Sequence, residues 1–194
     1  MKRLLAAALV TGIVLVGYTQ AGGSKLTIGD AAPAFSKLPG VDGKDHSLGD
    51  YKKDVLVIAI TCNHCPVAVA YEDRMIAFAK KYAGKIDFVA INVNNLDADK
   101  LDKMKIRAQE KGFTYDYLYD SSQKIGRALS ARVTPEFYIF NKKRELVYWG
   151  AMDDSNNAAK ASKNYLSAAV DSTLDGKTPA TTKTNARGCS VKYE

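Results

Sequence analysis

The sequence predicts an α/β domain whose central sheet is covered on both faces. Two runs of almost entirely apolar residues, 55–60 and 86–93, have the length of buried strands. A strand, a helix and a second buried strand form the βαβ unit of a parallel sheet, in which both sides of each strand are apolar. Between the two runs, apolar residues recur at the spacing of one helical face, at Val67, Tyr71, Met75, Phe78 and Tyr82.

The other elements follow in order along the chain. Turn residues at 39–44 separate two short strand-like segments, 34–38 and 46–48, which we expect to form an N-terminal β-hairpin. Three tyrosines within 113–119 are expected to line a groove or the edge of the core. The remaining predicted elements are a helix over 97–111 that Gly112 ends, a short helix up to Leu129, an antiparallel hairpin over 136–149 and a closing helix over 164–174.

The first residues are typical of a secretory signal peptide. Lys2 and Arg3 precede a small and apolar run over 4–16, and the simplest cleavage point follows Ala21. The run is shorter than the roughly 20 residues that span a bilayer, although an uncleaved anchor is the alternative. We therefore expect residues 1–21 to be removed and the protein to be periplasmic or secreted, with no stable membrane association after cleavage.

Composition favours one globular domain without a nucleic-acid partner. Of the 194 residues, 46% are apolar, which supports a single domain with a core of its own. The formal net charge is +7, but Lys and Arg are scattered among Asp and Glu and form no basic stripe with interleaved aromatics. We predict a folded domain over 25–175 and an extended C-terminal tail over 176–194, rich in Lys, Thr and Pro.

Two cysteines stand where the first buried strand ends and the first long helix begins. Cys62 and Cys65 are three residues apart, so their Cβ atoms lie about 5–6 Å from each other on a helical turn. That spacing suits a disulfide that opens and closes with little backbone movement. The unpaired N–H groups of a helix start also favour a thiolate. The pattern predicts a dithiol–disulfide redox centre.

Two other interpretations of this motif are weaker. A structural zinc site needs four Cys or His ligands, and the whole chain has three cysteines and two histidines. A purely structural disulfide across so short a loop would constrain the unfolded chain very little.

Three separated motifs add a resemblance to a known family. They are the segment 62–74, which begins Cys-Asn-His-Cys-Pro, the pair Thr134-Pro135 before a hairpin, and Gly-Cys-Ser-Val-Lys-Tyr at 188–193. Together they resemble the peroxiredoxin-like proteins of the redoxin (AhpC-TSA) group of the thioredoxin family. The resemblance implies a thioredoxin-like fold: a central mixed sheet flanked by helices, with the N-terminal hairpin and the C-terminal tail. It also implies that Pro135 is cis and faces the cysteines, and that the backbone of Thr134 pairs with an extended substrate segment.

The sequence departs from the peroxiredoxin pattern Pro-x-x-x-Thr-x-x-Cys. If Cys65 takes the peroxidatic position, Cys62 stands at the Thr position and Ile58 at the Pro position, so the residues that activate peroxide are incomplete. The leading hypothesis is therefore a thiol–disulfide oxidoreductase, which needs no cofactor and no metal. We expect Cys62 to be the more exposed, attacking thiolate, Cys65 to resolve the mixed disulfide and His64 to stabilise the thiolate. Its partner would be a protein thiol or disulfide, or a small oxidant.

Two alternatives remain open at the level of sequence. The first is a thiol peroxidase, in which Cys65 or Cys62 forms a sulfenic acid that the other cysteine resolves. The second is a module that binds a soft metal such as Cu(I) through Cys62, Cys65 and either Cys189 or His64.

The third cysteine, Cys189, lies in the predicted tail. The 13 residues 176–188 reach at most about 43–47 Å when extended, and a domain of this size is about 35–40 Å across. Cys189 can therefore return to the Cys62–Cys65 motif as a third redox cysteine or a cap, although a free thiol or intermolecular pairing fits the sequence equally well.

Overall fold

The computed structural model describes residues 26–194, so the predicted signal peptide lies outside the described residues. Single 3₁₀ turns occur at Leu48–Asp50, Asp97–Asp99 and Ala158–Lys160. The strands and helices, in chain order, are β1 Leu38–Pro39, β2 Asp45–His46, β3 Leu56–Thr61, α1 Pro66–Lys81, β4 Asp87–Asn92, α2 Leu101–Lys111, β5 Asp116–Tyr119, α3 Lys124–Ala128, β6 Val133–Thr134, β7 Glu136–Phe140, β8 Leu146–Gly150, α4 Tyr165–Leu174 and β9 Cys189–Ser190.

A five-stranded mixed sheet in the order β5-β4-β3-β7-β8 forms the centre of the domain. Strands β3, β4 and β5 are parallel, whereas β7 is antiparallel to both β3 and β8. The predicted central mixed sheet and the βαβ unit at its middle are thus confirmed. Strands β1 and β2 pair antiparallel, as the predicted N-terminal hairpin requires. Compared with the predicted segments 34–38 and 46–48, β1 starts later, at residue 38, and β2 starts one residue earlier, at residue 45.

Both faces of the sheet are covered, because the central strand β3 is buried at all six positions. Val57 and Ala59 face a cluster that includes side chains of α1, α2 and α4. Leu56, Ile58 and Ile60 face a second cluster that includes side chains of α3 and, from the tail, Val191. The continuous apolar run at 55–60 therefore reflects a strand with two buried sides.

One local element was not predicted and one prediction differs from the structure. Residues 116–119 form β5, the edge strand of the main sheet, and the three tyrosines of 113–119 pack in or against the first apolar cluster, at the core edge as expected. The helix predicted from residue 97 is interrupted: Asp97–Asp99 form a 3₁₀ turn and α2 starts at Leu101. The reason is that the carboxylate of Asp99 is buried and binds backbone N–H groups of another loop instead of capping α2. Gly112 ends α2 as predicted, with a φ of 64° that favours glycine.

Within residues 26–194, none of the helices combines the length and the apolar character that crossing a bilayer requires.

A buried ion pair joins α1 to α2. Arg107 Nε donates to Glu72 Oε1 at 2.8 Å and Arg107 Nη2 donates to Glu72 Oε2 at 2.7 Å. The Glu72 side chain is buried and that of Arg107 is partly exposed. A carboxylate in such a position depends on its partner, because it would otherwise be desolvated without compensation.

Replacing Arg107 with Met should destabilise the domain while keeping most of the apolar stem. We expect the free energy of unfolding to fall by about 1.5–3 kcal/mol, the range for hydrogen bonds to a charged group. Urea unfolding of the oxidised protein measures this loss. The control is Lys103→Met on the same helix, where an exposed pair with Asp102 should contribute about 0–1 kcal/mol. Equal losses in the two variants would contradict a stabilising role for the Glu72 pair.

Candidate functional site

The strand registers bring three segments together at one edge of the sheet. Thr61, the last residue of β3, pairs with Asn92, the last residue of β4, so the loops that follow these parallel strands leave the sheet side by side. Glu136, the first residue of β7, lies next to β3 at Ile60. The preceding Thr134-Pro135 therefore reaches the loop that carries the cysteines, and its peptide bond is cis, as the resemblance implied.

The disulfide of the structure joins Cys65 to Cys189, with the Cα atoms 5.9 Å apart. Cys65 is the N-cap of α1, and the backbone N–H of Ala68 lies 3.4 Å from its sulfur. Cys189 is on β9, which pairs antiparallel with β6 so that Cys189 lies opposite Thr134. Because the carbonyl oxygen of Thr134 is 3.4 Å from Cys65 Sγ, this pairing delivers Cys189 to Cys65.

The pairing differs from the disulfide between Cys62 and Cys65 that the motif predicts. Cys62 is a free thiol in this form. It is 3% exposed, against 0% for Cys65, so it is the more exposed of the two as expected, although both are buried. Its Sγ lies 3.1 Å from Thr134 Oγ1. Cys62, Cys65 and Ala68 form one buried cluster, and Cys189 packs against it. The three cysteines of the chain therefore meet at one place.

Burial raises the pKa of the Cys62 thiol, and the nearby negative charge of Asp99 raises it further. Three hydrogen-bond donors oppose this rise: the Thr134 hydroxyl, the backbone N–H of Cys65 and the side-chain amide of Asn94. The raised pKa is opposite in direction to the helix-start effect expected from the sequence, because exclusion of water outweighs the favourable dipoles. At neutral pH, Cys62 therefore rests as a thiol.

His64 is held by a carboxylate that the sequence did not reveal. Its Nδ1 bonds to Asp99 Oδ2, while Asp99 Oδ1 accepts the backbone N–H groups of Asn63 at 2.7 Å and His64 at 3.2 Å. Asp99 is completely buried. Three contacts thus fix the loop between the cysteines to the turn before α2, and they fix the orientation of the imidazole.

Further buried polar side chains support this turn. Asn92 Nδ2 donates to the Asp99 carbonyl oxygen at 3.0 Å, and Asn92 Oδ1 accepts the N–H of Asn94 at 3.0 Å. Tyr117 on β5 donates its hydroxyl to Asn63 Oδ1 at 3.0 Å. No sequence pattern marked Asn92, Asn94 or Asp99 as part of the site, since an Asp before a helix usually suggests a cap and Asn in a loop usually suggests a turn.

One group of metal-ligand atoms occurs among the described residues: Cys62, His64 and Asp99 place their donor atoms within 4.8 Å of one another. This set differs from the soft-metal set considered from the sequence. With Cys65 and Cys189 joined, only Cys62 among those cysteines retains a thiol that can bind Cu(I). His64 and Asp99 are also already bonded to each other.

Known proteins resemble this chain over most of its length. An uncharacterized conserved protein from Geobacillus kaustophilus has a crystal structure with a TM-score of 0.81 and 36% sequence identity, covering 87% of this chain and 93% of that one. A thiol:disulfide interchange protein of the thioredoxin family from Chlorobium tepidum shares the fold, with a TM-score of 0.56 at 19% identity over 69% of this chain and 92% of that one.

A Mycobacterium tuberculosis protein named "Putative peroxiredoxin" is 28% identical over 120 residues, which are 59% of this chain and 71% of that protein. The family model for redoxins matches residues 27–166. The thioredoxin-like fold and the peroxiredoxin-like character expected from the three motifs agree with these likenesses, and the chain belongs to the redoxin family.

Proposed function

We propose that this protein is a thiol–disulfide oxidoreductase in which Cys62, Cys65 and Cys189 exchange one disulfide among themselves and with a partner. The observation that carries the proposal is a free thiol packed against a disulfide in one buried cluster. Thiol–disulfide exchange needs a thiolate in contact with a disulfide sulfur, so this arrangement suits the reaction without large movement.

The internal step conserves the number of disulfides. Cys62 loses its proton, and its sulfur forms a bond with Cys65 Sγ while the bond between Cys65 and Cys189 breaks. Cys189 leaves with the electron pair of that bond and takes up a proton. The product is the disulfide between Cys62 and Cys65 that the motif predicts, now with Cys189 as a thiol.

The second step transfers the disulfide to or from a partner. A partner thiolate attacks Cys62 or Cys65 and forms a mixed disulfide while the other cysteine leaves and takes up a proton, and a second partner thiol then displaces the cysteine of the mixed disulfide. The partner leaves oxidised and the Cys62–Cys65 pair becomes a dithiol; the reverse sequence reduces a partner disulfide. This step needs a protein dithiol or disulfide as co-substrate, which is the partner class expected from the sequence.

Four side chains would assist these steps. Thr134 and Asn94 have donors near Cys62 and would stabilise its thiolate as it forms. His64, fixed by Asp99, has a nitrogen within 4.8 Å of the sulfur and would assist the removal of its proton. Pro135 lies beside the cysteines, and the backbone of Thr134 before it, which pairs with Cys189 in this form, would pair with a substrate strand.

The location of this chemistry is proposed to be extracytoplasmic. The support is the signal-like sequence over 1–21 and the disulfide of the described part, because disulfides persist in oxidising compartments. In such a compartment a dithiol must be maintained by partner proteins.

Exchange through three cysteines predicts different results for three substitutions. Cys65→Ser should abolish exchange, and Cys62→Ser should keep the Cys65–Cys189 disulfide but lose turnover by at least about 100-fold, because no internal thiol then attacks Cys65. Cys189→Ser should keep turnover and close the disulfide between Cys62 and Cys65. Turnover of a disulfide-bonded peptide, with non-reducing mass mapping of each variant, measures these outcomes.

The matched control for Cys189→Ser is Ser190→Ala, an exposed neighbour on the same strand that should behave as the wild type. Wild-type turnover by Cys62→Ser would contradict the proposed internal step.

The raised pKa of Cys62 predicts a pH dependence with a defined sign. In the disulfide form Cys62 is the free cysteine, so alkylation by iodoacetamide reports its thiolate. Below the pKa, the thiolate fraction and the rate should increase about tenfold for each pH unit. Asp99→Asn removes the negative charge that raises the pKa, so the whole profile should move to lower pH. Mass spectrometry of alkylation from pH 6 to 10 measures the shift.

The control substitution is Asp97→Asn, since that side chain is 98% exposed and lies two residues earlier. A profile for Asp99→Asn that matches this control would exclude the electrostatic effect of Asp99. The same assay tests the role of His64, because His64→Ala should move the profile to higher pH if the imidazole supports the thiolate.

A thiol peroxidase is the second candidate, and the Cys65–Cys189 disulfide specifically favours it. In that reaction, the thiolate of Cys65 attacks peroxide, forms a sulfenic acid and releases water after proton uptake. The Cys189 thiol then condenses with the sulfenic acid, releases a second water and leaves the disulfide of the structure. Cys65 stands at a helix N-cap, where the dipole favours a thiolate.

The reaction of the reduced protein with hydrogen peroxide separates the two candidates. We expect a second-order rate no greater than that of an ordinary free thiolate, because Ile58 and Cys62 replace the proline and threonine of the peroxidatic pattern. Stopped-flow fluorescence and mass analysis of the three cysteines measure the rate and the site. A rate orders of magnitude higher at Cys65 would establish the peroxidase instead. The control is Cys65→Ser, which lacks the sulfur that would react with peroxide.

A further inference from the structure

The tail is bound to the domain as an extended strand. From residue 181 to 193, half-buried or buried side chains alternate with exposed ones, except at 188–189, where two neighbours are half-buried. The tail first pairs with the sheet edge, where Trp149 and Lys183 form a parallel bridge, and then with β6 through Cys189 and Ser190. An extended segment added to an exposed strand is one of the recurring modes of peptide recognition.

Beyond Cys189, the backbone of the tail is held by groups of the domain. The N–H of Val191 donates to the Arg132 carbonyl oxygen at 2.9 Å. The N–H of Lys192 donates to Asn94 Oδ1 at 2.7 Å, and its carbonyl oxygen accepts from Gln123 Nε2 at 2.7 Å. These contacts involve main-chain atoms of the tail, so they impose an extended conformation without requiring particular side chains.

Asn94 and Gln123 act here like the edge of another strand. Both side chains are buried, at 0% and 3% exposure. Gln123 Oε1 also accepts the N–H of Glu194 at 2.8 Å, so one amide group binds both the residue before and the residue after Tyr193. Buried amides that donate to and accept from a passing backbone form a built site for an extended chain.

Side-chain pockets occur at two alternate positions after the cysteine. Val191 is buried in the second apolar cluster of the domain. Tyr193 lies over Gly126, where an added Cβ would be 2.8 Å from its hydroxyl oxygen, and that hydroxyl donates to the Ala131 carbonyl oxygen at 2.9 Å. The guanidinium carbon of Arg127 is 4.6 Å from the ring centre. The two pockets thus recognise an aliphatic and an aromatic side chain.

The position before the cysteine is restricted as well. A Cβ added at Gly188 would collide with the carbonyl oxygen of Thr134. Because that oxygen is a backbone atom and not the end of a flexible side chain, it cannot yield easily. The surface therefore fits a segment with Gly directly before Cys, an aliphatic residue two positions after the Cys and an aromatic residue four positions after it.

We propose that this surface, the tail groove formed by Asn94, Gln123, Gly126, Ala131, Arg132 and Thr134, binds an extended cysteine-containing segment of a partner protein with the pattern Gly-Cys-x-aliphatic-x-aromatic. The tail occupies the groove as an internal copy of that segment. The proposal rests on the exchange proposed above for release of the tail, whereas the selectivity of the groove depends only on non-covalent contacts.

If the tail can be displaced, the position of the Cys65–Cys189 disulfide that holds it has an explanation. The disulfide that holds the tail ends on Cys65, directly beside the free thiol of Cys62. Attack by Cys62 on Cys65 breaks this bond, transfers the disulfide to the Cys62–Cys65 pair and leaves Cys189 as a thiol after proton uptake. After this step, only non-covalent contacts hold the tail: those of the last residues in the groove and the pairing of residues 182–184 with β8 at Trp149. A partner segment with the same pattern can then replace the last residues in the groove.

A peptide-binding measurement on the full chain tests the groove without any redox step. In Cys189→Ser/Val191→Asp/Tyr193→Ala, the tail loses its bond and its two anchoring side chains while the groove is intact. A fluorescein-labelled peptide with the sequence of residues 185–194 and Ser in place of Cys189 should bind saturably. A matched peptide that also carries the Asp and Ala changes should bind at least tenfold more weakly in fluorescence anisotropy.

Adding Gly126→Ala to this variant should weaken the first peptide at least fivefold, because the new methyl group enters the space of the tyrosine. Circular dichroism and thermal unfolding of each variant check that it is folded. Equal binding of the two peptides, or binding of neither, would overturn the proposed groove.

Amide hydrogen exchange of the unmodified full chain provides an independent test of release. The amides of Val191, Lys192 and Glu194 should exchange at least tenfold faster after reduction than in the Cys65–Cys189 form. Unchanged protection, or a reduced protein that dimerises by exchanging tails in sedimentation, would overturn the proposal in favour of a permanent clamp or a second copy. If the peptide binds but Cys62→Ser retains wild-type turnover, the groove stands and the proposed exchange mechanism fails.

Discussion

The site depends on the pairing of β3 on both of its edges. This strand is hydrogen-bonded to β4 in parallel and to β7 in antiparallel orientation, and all of its six residues are buried. A shift of register by one residue would turn every side chain to the opposite face, so packing on two sides fixes the register firmly. That register places the cysteine loop, the turn with Asp99 and the cis-proline at one point. The chemistry is therefore positioned by apolar packing that never touches a sulfur atom.

This placement exposes Cys62 to groups that shift the pKa of its thiol in opposite directions. Burial and the charge of Asp99 favour the thiol, whereas the hydroxyl of Thr134 and the amide of Asn94 favour the thiolate. Asn94 Nδ2 is buried near Cys62 without a close hydrogen bond to it or to any other group of residues 26–194 in this form, while its oxygen binds the tail. The donors are thus present before a charge forms, which is how a preorganised site stabilises an ion that appears only during reaction. Release of the tail would admit water and weaken the largest opposing effect, so exchange at Cys65 and activation of Cys62 would support each other.

The sequence predicts well what depends on local pattern. Strands β3 and β4 are marked by continuous apolar runs, and helix α1 and the closing helix by apolar residues at helical spacing. Cys62 and Cys65 are recognisable from their spacing at a strand–helix junction. The partner of Cys65 is different, because it depends on the register between β6 and β9, two-residue strands that have no periodicity. Asp99, Asn94 and Gln123 escaped prediction for a related reason: each acts on a group 35 to 98 positions away in sequence, and only the fold brings them together.

The tail shows how a covalent bond controls a surface in this protein. Its segment before Gly188 is polar and mostly exposed, and it is anchored to β8 at residues 182–184, several residues away from the groove. The Cys65–Cys189 bond closes a separation of 124 residues and keeps the local concentration of the tail at the groove high. Coupling between two events is reciprocal: if the bond favours occupancy of the groove by the tail, then a partner that competes for the groove must favour opening of the bond. Recognition of a substrate segment and transfer of the disulfide would then be one coupled equilibrium, with the free thiol of Cys62 placed where the two meet.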